Sequence, residues 1–218
     1  MTSMMNRLLL LTLIPTSSFG QLVHAQAKTS SSPIDYSNLK DKSFADLFVE
    51  ITPEQLPESI FKLVGKDYTV ITAGLPEHYN SMVAGDGGMG FLMGKPATFC
   101  NLRGNRYTLE FILKDKKYTM AYFDDQFKPA FLPFGNSSGR DSDKMKKTTL
   151  TPLVTPSGRV SFKEAKIIIE CDLAETRTVN PAEVYVQKNK DFYEDAYKSA
   201  GSYHKIVFGD IIHIWVRK

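Results

Sequence analysis

The chain has 218 residues, 42% of them hydrophobic and 11% aromatic, with a formal charge of +3. That length and apolar content suit one domain with a single core, without help from staples. The small charge gives no electrostatic reason to expect nucleic acid or a membrane surface as partner. There is no CxxC and no HExxH, and His24, His78, His204 and His213 show no ligand spacing, so no metal site is expected.

The chain opens like an export signal. Arg7 is the only charge in the first 25 residues, the apolar run Leu8 to Ile14 follows, and Val23-His24-Ala25 offers small residues before a cut. The run is shorter than the roughly 20 residues of a membrane span. The expectation is a signal peptide at 1–25 and an exported mature protein, periplasmic or secreted, of charge +2 without a membrane span; a retained N-terminal anchor is the alternative. The Ser-rich, polar stretch 26–43 reads as a linker or loosely held arm, and the domain as 44–218.

From Phe44 onward, strand composition dominates. "FVEI", "DYTVITAG", "PATFCNL", "KYTMAYF", "RVSFKEAKIIIECDL", "EVYVQ" and "HKIVFGDIIHIWV" are rich in Val, Ile, Thr and aromatics and are bounded by turn residues. Helical patches are few: "ESIFKLVG", stopped by Gly65, then "RYTLEFILKDK", "DDQFKPAFLPF", "SDKMKKT" and "DFYEDAYKSAG". They do not alternate regularly with the strands, so the pattern predicts a mainly β protein, a closed or partly closed antiparallel barrel with helical excursions. Cys100 and Cys171 sit in apolar runs, where they either pair in an oxidising compartment or remain buried as free thiols.

The stretch from Asn80 to Phe111 holds six glycines. "GDGGMG" formally satisfies GxGxxG, but Gly94 and Pro96 follow where a dinucleotide fold needs a long helix, and Lys95 is followed by Pro96 where a P-loop needs Ser or Thr. What is left is a backbone that can approach a ligand closely. Arg103 and Arg106 flank Gly104-Asn105, and Tyr107 and Thr108 follow at the start of a helix. Guanidinium, hydroxyl and first-turn amides together suit a phosphate; a surface turn with unrelated arginines is the alternative.

The order "YTVITAG…NSM…GKPATFCNLRGNRYTLEF…SGRDSDK…IIIECDL…YHKIVFGDII" resembles the flavin reductase-like, FMN-binding split-barrel family over essentially the whole domain. The resemblance implies a Greek-key antiparallel split barrel, FMN as cofactor at a homodimer interface, and an oxidoreductase fed by a small-molecule or protein electron donor. It places Asn80, Ser81, Met82, Val83 and Ala84 along the flavin ring and Arg103, Arg106, Tyr107 and Thr108 on its phosphate. Ser138, Arg140, Asp141 and Lys144 of "SGRDSDK" come close to the cofactor. His204 either faces the flavin or its nicotinamide partner, or is a core or surface histidine. Relatives often carry Thr and then Ser or Ser-Trp along the ring, where this chain has Val83, Gly85 and Asp86. An inward Asp86 carboxylate would lower the flavin's potential. A non-enzymatic protein carrying FMN, haem or another planar anion is the second expectation.

Overall fold

The structure, a computed structural model, describes residues 34–218; the expected signal and the first part of the expected linker lie outside them. The compact unit that the described residues form includes Ile34–Ser43, ahead of the expected start at Phe44. Leu39 is buried, and Tyr36 packs edge-on against Phe127 and donates its hydroxyl hydrogen bond to Asp124 at 2.7 Å. Lys163 Nζ donates to the carbonyls of Leu39, Lys40 and Lys42 at 2.7–2.9 Å. The polar composition that suggests a linker here reflects a strap held by its backbone carbonyls rather than its side chains.

After the short helix α1 (Phe44–Leu47) come β1 (Phe48–Ile51), the helical turn α2 (Ile60–Lys62), β2 (Thr69–Leu75), β3 (His78–Ala84), β4 (Gly87–Leu92) and β5 (Lys95–Leu102). Helix α3 (Tyr107–Asp115), β6 (Lys117–Tyr122), α4 (Lys128–Asn136), β7 (Pro152–Val154), β8 (Val160–Phe162), β9 (Ile167–Thr178), α5 (Gln187–Ala200) and β10 (Lys205–Arg217) complete the chain. Every strand pairing is antiparallel. The main sheet runs β3-β2-β6-β9-β10-β5-β4, with β1 added to the far half of β10. Its two edges, β3 and β4, do not pair, so the sheet is not closed. Only Gly85 and Asp86 separate them, a span of at most about 11 Å. The sheet therefore curls until its edges nearly meet, leaving a split. Strands β5 and β6 are consecutive yet lie with β9 and β10 between them, and α3 makes the crossing.

One side of the curled sheet forms the barrel interior, with Ile71, Met120, Ile169 and Cys171 at its centre. On the other side Val70, Ala121 and Ile168 meet Phe131, Phe134 and Phe162 from α4 and β8. Both faces of β2, β6 and β9 are thus covered, which is why their sequences read as continuous apolar runs rather than alternating ones. Cys100 and Cys171 are both buried and free, the first alternative of the sequence reading being set aside.

Two local expectations need correction. "EVYVQ" is not a strand: Pro181–Glu183 is a 3-10 turn, Tyr185 is 93% exposed and α5 begins at Gln187. Gly65 does not stop its helix, which continues as a π segment from Leu63 to Asp67 and ends at Tyr68, in the left-handed region with φ 62°. The glycine-rich "GGMGFL", which the sequence reading assigned to no element, forms edge strand β4, in which Gly88 leaves room for the ring of its cross-strand partner Phe99. Among the described residues no helix is long and apolar enough to cross a membrane.

Candidate functional site

Strand β3, the start of α3 and the loop after α4 converge on a cavity of about 350 Å³. Met82, Val83, Arg106, Tyr107, Thr108, Ser138, Arg140, Asp141 and Lys144 line it. Nine sequence-predicted residues from three separate segments thus surround one space. Asn105, Phe134, Gly135, Ser137 and Gly139 also line it; no feature of the sequence singled them out.

The remaining predicted residues lie around this cavity rather than in it. Ala84, Arg103 and His204 line an adjoining recess of about 180 Å³, which shares Met82, Val83 and Arg106 with the larger space. Asn80 is buried and lines a neighbouring space of about 670 Å³ that shares Tyr107, Arg140, Asp141 and Lys144 with the cavity; its Nδ2 donates to Thr108 Oγ1 at 2.6 Å. Ser81 is fully buried and its hydroxyl pairs with Thr72 across the strands at 2.8 Å. These two side chains hold β3 and α3 together. Gly139 belongs to the same contact: a Cβ there would run into Asn80 Oδ1 and come within 3.0 Å of Tyr107.

The charges lining the cavity are mostly cationic: Arg106, Arg140 and Lys144 stand against one acid, the exposed Asp141. Arg140 is already committed, bound to the Glu110 carboxylate, donating to the Asn105 carbonyl at 3.0 Å and lying 5.0 Å over the Tyr107 ring. Lys144 is not. It is 4% exposed, and its ammonium reaches only the carbonyls of Phe134 and Ser137, at 3.0 and 3.3 Å. Burial, with Arg106 nearby, brings its pKa down to about 8. Arg106 is half-buried, and burial and then Arg103 lower its own pKa. Neither cation forms an ion pair with a carboxylate among the described residues. Arg106 also caps α3 without a side-chain hydrogen bond, leaving first-turn amides open. A buried ammonium without a counter-charge is costly. Two such cations beside a helix start fit a phosphate monoester.

His204 is 3% exposed, sits between Phe192 and Tyr193 of α5, and has its pKa lowered by burial and then by Arg103, against the opposing effect of Asp86. The shift favours its neutral form. Asp86 stands exposed on the rim of the recess, with its carbonyl accepting from the Asn101 amide at 3.0 Å.

The structure is a split barrel built from a curled antiparallel sheet, with a mostly cationic cavity between its edge strand β3, the start of α3 and the loop after α4. Residues 65–218 match the flavin reductase like domain, and the chain belongs to that family. Similar solved structures include an FMN-binding protein from Thermus thermophilus with bound 1-cyclohex-2-enone, at 18% identity over 74% of this chain and 75% of that one, TM-score 0.54. Flavoredoxin from Methanosarcina acetivorans is 16% identical over 69% and 68% of the two chains, TM-score 0.53. An NADH:FAD oxidoreductase of Streptomyces globisporus C-1027 is 13% identical over 70% and 78%, TM-score 0.51. At these identities the likeness is one of fold. No curated protein matches the chain.

Proposed function

We propose that the protein is an exported FMN-binding oxidoreductase that works as a homodimer and passes electrons from a small-molecule or protein donor to a small acceptor. The observation that carries this reading is the pair Lys144 and Arg106, two cations without an acidic partner at the open start of α3. They match a single phosphate group, which favours FMN over FAD. In support, the similar structures include a protein described as FMN-binding and an NADH:FAD oxidoreductase.

In this reading Lys144, Arg106 and the amides of Tyr107 and Thr108 hold the phosphate, while Met82 and Val83 form the bed of the ring. FMN, when bound, supplies hydride and electron transfer at its N5. The chain's own groups bind, orient and shield it; none acts as a nucleophile. His204, whose burial favours the neutral ring, offers a donor or substrate contact at the far end of β3. Exposed Phe61, Phe91 and Met93, each more than two-thirds accessible, provide apolar surface for a second copy.

A second reading, a carrier that binds flavin without turnover, draws on Val83 and Asp86, where relatives often keep a hydroxyl and an aromatic. Steady-state assays of flavin-loaded protein with reduced nicotinamides, quinols and reduced protein carriers separate the two. Turnover with at least one donor is expected. Loaded protein inert to every donor supports the carrier, and protein that holds no flavin contradicts both.

A further inference from the structure

The recess beside the main cavity carries polar groups that the phosphate does not use. Asn101 Oδ1 and His204 Nδ1 are buried without a hydrogen-bond partner, and both residues line it. Ser202 Oγ, also buried and unpartnered, lies next to it against Gly104, where an added Cβ would come within 2.8 Å of that oxygen and 2.6 Å of the Tyr203 carbonyl. This close approach pins the Arg103–Asn105 turn to the segment leading into β10. Buried polar atoms are normally paired, so a cluster of orphans marks a place built for a polar occupant. Arg103 brings charge: its guanidinium makes no ion pair among the described residues, and Arg106 stands on the same wall. Asp86 is the one acid lining the recess, and it lies exposed at the rim. Phe192 offers an aromatic face, itself 47% exposed.

We propose that this recess is a second ligand site, which takes a small planar organic carboxylate that also carries a hydroxyl or amino donor: Arg103 holds the carboxylate, Phe192 covers the flat body, Asn101 Oδ1 accepts from the donor and His204 supplies the other polar contact. A volume of about 180 Å³ suits a single substituted ring and is too small for a nucleotide. The recess meets the phosphate cavity at Met82, Val83 and Arg106, so its occupant lies beside whatever the larger space holds. Its role as a substrate site rests on the flavin reading above; its preference for a carboxylate does not.

The test uses benzoate and its uncharged counterpart benzamide as probes, titrated into the protein as purified and again after stripping any flavin. Benzoate binding at least about tenfold tighter than benzamide, with the preference abolished in Arg103→Met, is the expected result. As an independent readout, benzoate should raise the pKa of the His204 ring followed by NMR, since an anion between His204, Arg103 and Arg106 favours the imidazolium. Equal binding of the two probes, no binding of either at millimolar concentration, or an unmoved His204 signal overturns the site. Benzoate binding by a protein that ignores FMN refutes the flavin reading and leaves this one standing.

Discussion

Lys144 is the residue on which the site turns. Its pKa of about 8 lies below that of a free lysine because burial penalises the ammonium and Arg106 repels it. The sign follows: well below pH 8 Lys144 is charged, and its proton is progressively lost as pH rises through about 8. A phosphate bound beside Lys144 favours the charged form, so FMN affinity should be flat from about pH 7 to 7.5 and fall by up to about tenfold per unit above pH 8. Riboflavin affinity, measured in the same fluorescence titration, should show no such fall. A pH-independent FMN affinity would take Lys144 out of the phosphate site. Arg106 allows a simpler test. Arg106→Ala should weaken FMN by about 1.5–3 kcal/mol, the scale of a charge-assisted hydrogen bond, and leave riboflavin nearly unchanged. Equal losses for both ligands would remove Arg106 from that role.

At the scale of elements, the cavity depends on how closely the Ser138–Lys144 loop lies against β3 and α3, and Gly139 sets that distance. Gly139→Ala should push the loop away from Asn80 and Tyr107, costing about 1–3 kcal/mol of FMN affinity or stability, read by titration and thermal melting. Unchanged values in both would show that the loop moves freely. The sequence made much of this legible. Strands β2, β5, β6, β9 and β10 announce themselves because burial on one or both faces demands Val, Ile and aromatics, and α3 because its apolar residues recur at helical spacing. Strand β4 hides behind its glycines, which make room for Phe99, and β3 behind Asn80 and Ser81, polar residues that are buried because each has a partner on a neighbouring element. Such pairings depend on tertiary contact and leave no local pattern. The recess was illegible for the same reason: Asn101 and Phe192 are far apart in sequence and ordinary in composition, and only the fold brings them to His204.

For the whole molecule, the open split is the organising feature. The cavity and the recess share Met82 and Val83 near the end of edge strand β3, so one strand lines two spaces. The exposed Phe61, Phe91 and Met93 lead to a prediction at this scale: light scattering of the purified protein should give twice the 24.5 kDa chain mass less any signal removed, and substituting all three with serine should shift it toward monomer. A monomer in the unaltered protein would refute the dimer. The central claim is that the cavity between Arg106 and Lys144 holds the phosphate of FMN, and the most direct measurement is titration of stripped protein with FMN and with riboflavin, identical but for that phosphate. The account predicts FMN binding at least about tenfold tighter at pH 7. Equal affinity for the two, or affinity for neither, would contradict it.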